Sequence, residues 1–285
     1  MRANAIFAGG GIRGIGLAGA LQVAEERGYV WEKLAGTSVG ALLAALVASG
    51  YTAQEIYELI RNFNFKEILD GDFQKQLPQL GMFANVFLEK GIYKGRALEN
   101  WTRSLLAAKG VSTFGDLPEG RLTIIAADLT LNKMLVLPQD LEQYGLAYRD
   151  FSVAKAVRMS TSLPLFFEPV LLKYKNTASY VVDGSLVSNF PIWLFKEMAI
   201  PTIGFRFQDE GYPKRIRNMW DYLQAMVNTT VGGYHRRALS DHARTIAVPT
   251  LGVGVTDFDL TPAQMERLYQ AGKKAATAFF SNQSS

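Results

Sequence analysis

The 285-residue chain contains no cysteine and only two histidines, His235 and His242. Without cysteine there is no disulfide, no thiolate nucleophile and no cysteine-ligated zinc. Neither an H-E-x-x-H segment nor an EF-hand spacing occurs, so no metal and no cofactor is expected. No stretch approaches the roughly 20 consecutive apolar residues that a membrane-crossing helix needs. The apolar start, Ala5 to Ala8, is too short for a signal peptide and runs straight into glycines. The expectation is therefore a chain whose mature form begins at Met1 and which works in the cytoplasm. Linkers rich in Pro, Gly or Ser, low-complexity runs and internal repeats are also missing, and one domain over residues 1–285 is expected. Charge of one sign is in short supply too: 30 Lys and Arg face 26 Asp and Glu. The small basic clusters at Lys214-Arg215, Arg236-Arg237 and Lys273-Lys274 form no dense stripe, which argues against nucleic-acid binding. Weak attraction to an anionic membrane surface stays compatible with them.

What is present is a regular alternation of apolar segments. Ala3 to Ala8, Val30 to Ala35, Leu122 to Ala127, Met134 to Leu137, Tyr180 to Val182, Ile203 to Phe207 and Thr245 to Val248 read as strands. Ile15 to Arg27, Ala41 to Ala48, Thr52 to Arg61, Ala97 to Ala108 and Val153 to Ser160 read as helices. Thr52 with Glu55 makes a capping box, and Thr261-Pro262-Ala263-Gln264 starts a last helix in the same way. Met265, Leu268, Tyr269, Gly272, Ala276 and Phe279 fall on one face of that helix, which should dock on the core. Lys273, Lys274, Phe279 and Phe280 are the residues it would offer to a membrane. Strands alternating with helices predict an α/β fold of three layers, α/β/α, around a mostly parallel sheet. Between Asn62 and Gly95 the pattern is least regular, and Phe63, Phe65, Phe73, Phe83 and Phe87 sit among charges and glycines. Short helices capping the core and a lid over a lipid entry are both open readings of that stretch.

Three segments carry chemistry. Gly36-Thr37-Ser38-Val39-Gly40 lies between a strand and a helix, as a nucleophile elbow does, where a tight turn lifts the serine Oγ clear of the backbone. A serine needs a base. His235 and His242 lie in a polar, arginine-bearing run and formally allow a Ser-Asp-His order. Asp183, after Tyr180-Val181-Val182 and before Gly184, is the other candidate, since desolvation raises a carboxylate's pKa and makes it a better base. Gly9-Gly10-Gly11-Ile12-Arg13-Gly14 opens a helix and offers closely spaced N–H groups for an oxyanion. The same glycines satisfy the dinucleotide pattern G-x-G-x-x-G, but the second strand ends in Ala35-Gly36-Thr37-Ser38 with no acidic residue for a ribose hydroxyl.

In that order, these segments resemble the patatin-like phospholipases, whose hallmarks are G-G-G-x-R-G, G-x-S-x-G and an aspartate in D-G-[AG]. Residues 158–167, Arg-Met-Ser-Thr-Ser-Leu-Pro-Leu-Phe-Phe, resemble the family's segment before the aspartate strand, and Ala127-Asp128-Leu129 a structural strand end. The resemblance covers about residues 3–207. Ser185 departs from it, standing where the family usually has alanine or glycine, and its hydroxyl is expected to hydrogen-bond near Asp183. The resemblance implies a calcium-independent lipid acyl hydrolase of phospholipase A or lysophospholipase type. Ser38 and Asp183 would form its dyad. Gly10 and Gly11, with Gly9 and Ile12 beside them, would form the oxyanion hole. Arg13, Gly14, Gly36, Gly40 and Gly184 would support the motifs, with Arg13 anchoring its loop. A Ser-Asp-His carboxylesterase acting on soluble esters and a non-catalytic lipid- or membrane-binding protein of the same fold are the rival expectations.

Overall fold

Every side chain of β1 (Arg2–Phe7) after Arg2 is buried, which places this strand in the middle of a sheet. It lies between β2 (Val30–Thr37) and β9 (Thr202–Gln208), both parallel to it. The structure, a computed structural model, describes residues 1–63, 90–196, 198–208 and 244–282, with a few positions between 216 and 229. β10 (Thr245–Pro249) extends the parallel set beyond β9, and β4 (Leu122–Asp128) extends it beyond β2. β5 (Lys133–Leu137), β7 (Val170–Tyr174) and β8 (Thr177–Asp183) complete eight strands, in the order β10-β9-β1-β2-β4-β8-β7 with β5 also on β4. A separate two-stranded parallel pair joins β3 (Gly91–Tyr93) to β6 (Leu165–Phe167).

The last three strands run antiparallel to their neighbours, so the sheet is mixed rather than uniformly parallel. Chain length decides two of these three pairings, β4 with β5 and β7 with β8. Tyr174 pairs with Thr177 across a two-residue turn at Lys175 and Asn176, and Asp128 pairs with Lys133 across four residues. Neither connection has room for the crossover of a dozen or so residues that parallel neighbours require.

Alternation along β1 sends side chains to two faces. Phe7, Ala5 and Ala3 join the main cluster, where Phe7 stacks on Phe205 at 4.9 Å. That cluster takes in α1 (Gly14–Glu26), α2 (Val39–Ala48), α3 (Ala53–Asn62), α4 (Arg96–Ala108), α5 (Val153–Ser160) and α6 (Pro262–Asn282). Ile6 and Ala8 face the other way, onto Ala35, Phe190 and Phe195 of the segment around the 3-10 turn Ile192–Phe195. Both faces are thus covered, as strands with near-continuous apolar sequence demand.

The capping box at Thr52 and Glu55 opens α3, and Thr261 with Gln264 caps the start of α6. α6 packs along α1. One expectation for α6 needs correcting. Phe279 packs half-buried against the core as expected, but Phe280 is buried as well; it lies against Tyr29 with the Arg27 guanidinium over its ring, and so is not offered to a membrane. The short β3, β6 and edge strand β7 were not legible in the sequence: β3 and β6 have three residues each, and β7 leaves Leu171 exposed. Among the described residues no helix is long and apolar enough to cross a membrane. Most of the 62–95 stretch lies outside the described residues, as do both histidines.

Candidate active site

Ser38 follows the last residue of β2 and caps α2, at φ 56° and ψ −127°. A non-glycine residue with positive φ is held there only by its surroundings. Two contacts hold it. The Ser38 N–H donates to Ser160 Oγ at 2.9 Å, and Ser160 Oγ donates onward to the Ile125 carbonyl at 2.5 Å. On the other side the turn is closed by glycines: a Cβ on Gly36 would lie 2.1 Å from the Gly40 carbonyl oxygen. The result is a buried serine, 8% exposed, whose Oγ stands at the end of the sheet.

Asp183 ends β8 and is 1% exposed. Ser38 Oγ donates to its Oδ2 at 2.6 Å, and the Ser185 N–H donates to its Oδ1 at 2.8 Å. Burial raises its pKa from the usual 3.8 to about 6, with the hydrogen bonds from Ser38 and Ser185 pulling the other way. The Ser185 hydroxyl donates to Asn189 Oδ1 at 2.8 Å, and the side chain, like the backbone N–H, helps to hold the Asp183 pKa down.

The glycine loop follows β1. Of its four N–H groups, two are spent: Gly9 donates to the Asn189 carbonyl at 3.0 Å and Ile12 to the Val255 carbonyl at 3.3 Å. Those of Gly10 and Gly11 meet no acceptor among the described residues. Gly11 has φ +58°, and a Cβ there would lie 2.0 Å from the Val255 carbonyl oxygen, so only glycine fits. Arg13 is buried. Its Nε donates to the Gly10 carbonyl at 3.0 Å, and its guanidinium lies over the Phe207 ring at 4.8 Å. Arg13 therefore anchors the loop. Gly14 packs its bare Cα against Val39, next to Ser38.

Ser38, Asp183 and Gly11 share one slot of about 90 Å³. Its other walls are apolar: Leu42, Ile60, Leu98, Trp101, Leu163, Phe167 and Val255 among them. Arg158 braces this wall from behind. It is buried, donates to the carbonyls of Lys94 and Glu168 at 2.7 Å each, and also bonds Ser162 Oγ. Asp128 lies apart from the slot, accepting from the N–H groups of Thr130 and Leu131 and from the hydroxyls of Tyr144 and Ser179.

Sequence reasoning missed Ser160, Asn189 and Val255. Asn189 carried a readable sign, a polar amide next to the apolar Phe190-Pro191-Ile192. Val255 acts through its backbone carbonyl and so has no sequence signature.

A family model described as patatin-like phospholipase matches residues 5–196. The chain is 41% identical over 285 residues to the uncharacterized protein YqhO of Bacillus subtilis (strain 168), covering 98% of each. It is 25% identical over 193 residues to the probable lipid hydrolase 463L of invertebrate iridescent virus 6, which spans 66% of this chain and 61% of the viral one. Among solved structures, VipD from Legionella pneumophila aligns with a TM-score of 0.61, covering 98% of this chain and 67% of that one. At 17% identity that likeness is one of fold.

Proposed function

The chain belongs to the patatin-like phospholipase family, and on that premise we propose that it hydrolyses acyl esters of glycerolipids with Ser38 as nucleophile and Asp183 as the sole base, without calcium. The observation that carries this reading is the 2.6 Å hydrogen bond from Ser38 Oγ to Asp183 Oδ2. It is direct, so no imidazole stands between them, and it opens on an apolar slot suited to an acyl chain. We take the whole chain as the catalytic unit, since Val255 and Phe258, beyond the family-matching segment, line the same slot.

Asp183 removes the Ser38 proton as Oγ attacks the ester carbonyl. The new oxyanion is held by the N–H groups of Gly10 and Gly11 at the entrance to α1, where the helix dipole adds to their field. As the intermediate collapses, Asp183 returns the proton to the departing lyso-lipid oxygen, leaving an acyl-Ser38. Asp183 then takes a proton from water, whose oxygen attacks the acyl carbon, and gives it back to Ser38 as the fatty acid leaves. A base with a pKa of about 6 is mostly ionised at neutral pH yet basic enough to assist the transfer.

The reading is tested by fatty-acid release from mixed phospholipid vesicles in EDTA, with the intact protein beside Ser38→Ala, His235→Ala and His242→Ala. Release that vanishes in Ser38→Ala and persists in both histidine variants supports it. Loss of release in either histidine variant would replace the dyad by a triad, and undiminished release by Ser38→Ala would end the serine assignment.

A further inference from the structure

The mechanism leaves Ser185 and Asn189 without a task, yet both are buried beside it, Asn189 completely and Ser185 to 3% exposure. Asn189 holds Gly9 from two sides. Its carbonyl accepts the Gly9 N–H at 3.0 Å, and its Nδ2 donates to the Gly9 carbonyl at 3.2 Å. A carbonyl oxygen only accepts, so the NH₂ side of the Asn189 amide must face Gly9, and Oδ1 must face the Ser185 hydroxyl 2.8 Å away. That hydroxyl therefore gives its proton to Asn189. The space is tight: a Cβ on Gly9 would lie 2.2 Å from Asn189 Oδ1 and 2.5 Å from Ser185 Oγ.

The consequence reaches the donors. A trans peptide unit sends its C=O and its N–H in opposite directions. Fixing the Gly9 carbonyl on Asn189 fixes the direction of the Gly10 N–H, one of the two donors left open in the loop. Meanwhile the Ser185 N–H grips Asp183 Oδ1 at 2.8 Å. We propose that Ser185 and Asn189 are positioning residues for the oxyanion hole: the Ser185 hydroxyl sets the Asn189 amide, and the amide, through the Gly9 carbonyl, aims the Gly10 N–H. Ser185 thus ties the base to the oxyanion loop, with its backbone on one and its side chain on the other. This inference rests on the hydrolase reading above.

The experiment is steady-state hydrolysis of a soluble p-nitrophenyl ester by the full chain, over a range of pH, for the unaltered protein, Ser38→Ala, Ser185→Ala, Asn189→Ala and the Ser185→Ala/Asn189→Ala pair. Removing an oxyanion donor outright costs about 100- to 1000-fold in kcat; mis-aiming one should cost less, about tenfold in Ser185→Ala and about 100-fold in Asn189→Ala. KM should stay where it is in Ser185→Ala, because the slot that holds the substrate is unchanged. At a pH well above the acid limb, adding Ser185→Ala to Asn189→Ala should cost nothing more in kcat, since the hydroxyl reaches the oxyanion loop through the amide. Ser185→Ala removes a single oxygen, so the proposal stands or falls on it if Asn189→Ala does not fold. A kcat within twofold of the unaltered protein, a KM that rises in step with the loss of kcat, or fully additive losses would each overturn it. Absence of Ser38-dependent turnover in the unaltered protein would instead overturn the hydrolase reading, and the inference with it.

Discussion

Thr37 and Asp183 pair with consecutive residues, Ile125 and Ala126, on the same edge of β4. The other edge of β4 is taken by β5 over Ile124 to Asp128, so β2 and β8 have to share the remaining one. β2 runs along it parallel to β4 and β8 antiparallel, so their C-terminal ends meet head to head. Ser38 and Asp183 are what the two strands present where they meet, and Ser160 and Gly184 both crowd the Ile125 carbonyl at that junction. Strand register, set by residues that do no chemistry, fixes the 2.6 Å contact.

The pH profile should report this burial. With the Asp183 pKa raised to about 6 by desolvation, the ionised base is lost as pH falls through 6. kcat/KM on a soluble ester is expected to fall about tenfold per pH unit below that midpoint. A midpoint near that of an ordinary carboxylate, around 4, would mean a base that water reaches.

Asp183→Asn should abolish turnover and stabilise the fold. The native pKa of about 6 lies above the unfolded value, so between these two the native state holds the extra proton and stability falls as pH rises. The rise from 3.8 to about 6 corresponds to about 3 kcal/mol of stability, lost at pH 8 and restored below about pH 4. The variant is expected to melt above the unaltered protein at pH 8 and to match it near pH 4, in thermal scans followed by circular dichroism.

Ser38 keeps a positive φ at a cost. Two inactive variants should separate that cost from the chemistry. Ser38→Ala retains the strain, whereas Ser38→Gly relieves it and should be the more stable by about 1 kcal/mol, after allowing for glycine's larger unfolded-state entropy. Equal denaturant midpoints would show that the elbow is unstrained.

Arg158→Leu removes the donor to two carbonyls that join the β3–β6 pair to α5. A hydrogen bond to a charged donor is worth about 1.5–3 kcal/mol, so a loss of about 3 kcal/mol is expected in urea unfolding, with a raised KM as the slot wall loosens around Leu163 and Phe167.

Much of this was legible in the residues. The parallel strands and their helices follow from apolar periodicity, a local property, and Val153–Ser160 is a helix at the bounds its sequence sets. The glycine loop, the Ser38 elbow and the Asp183-Gly184 strand end are visible in the sequence because tight turns restrict residue type. What stayed hidden depends on partners distant in sequence. That β8 opposes β4 is a pairing between strands far apart in the chain. That Gly10 and Gly11 keep their donors open, while Gly9 and Ile12 do not, is decided by carbonyls at Asn189 and Val255. Backbone groups are the same in every residue, so no composition or spacing reveals them.

The loop's dependence on Val255 bears on where the protein can be cut. The family-matching segment ends at residue 196, yet β1 has β9 as its neighbour on one side, and α1 lies along α6. A fragment stopped at 196 would strip a central strand to a bare edge, uncover the apolar side of α1 and leave the Gly11 turn with nothing to rest on. The segment by which relatives are detected is therefore not a unit of folding. A library of shortened chains should lose expression as soon as truncation enters α6, well before it reaches any residue that reacts.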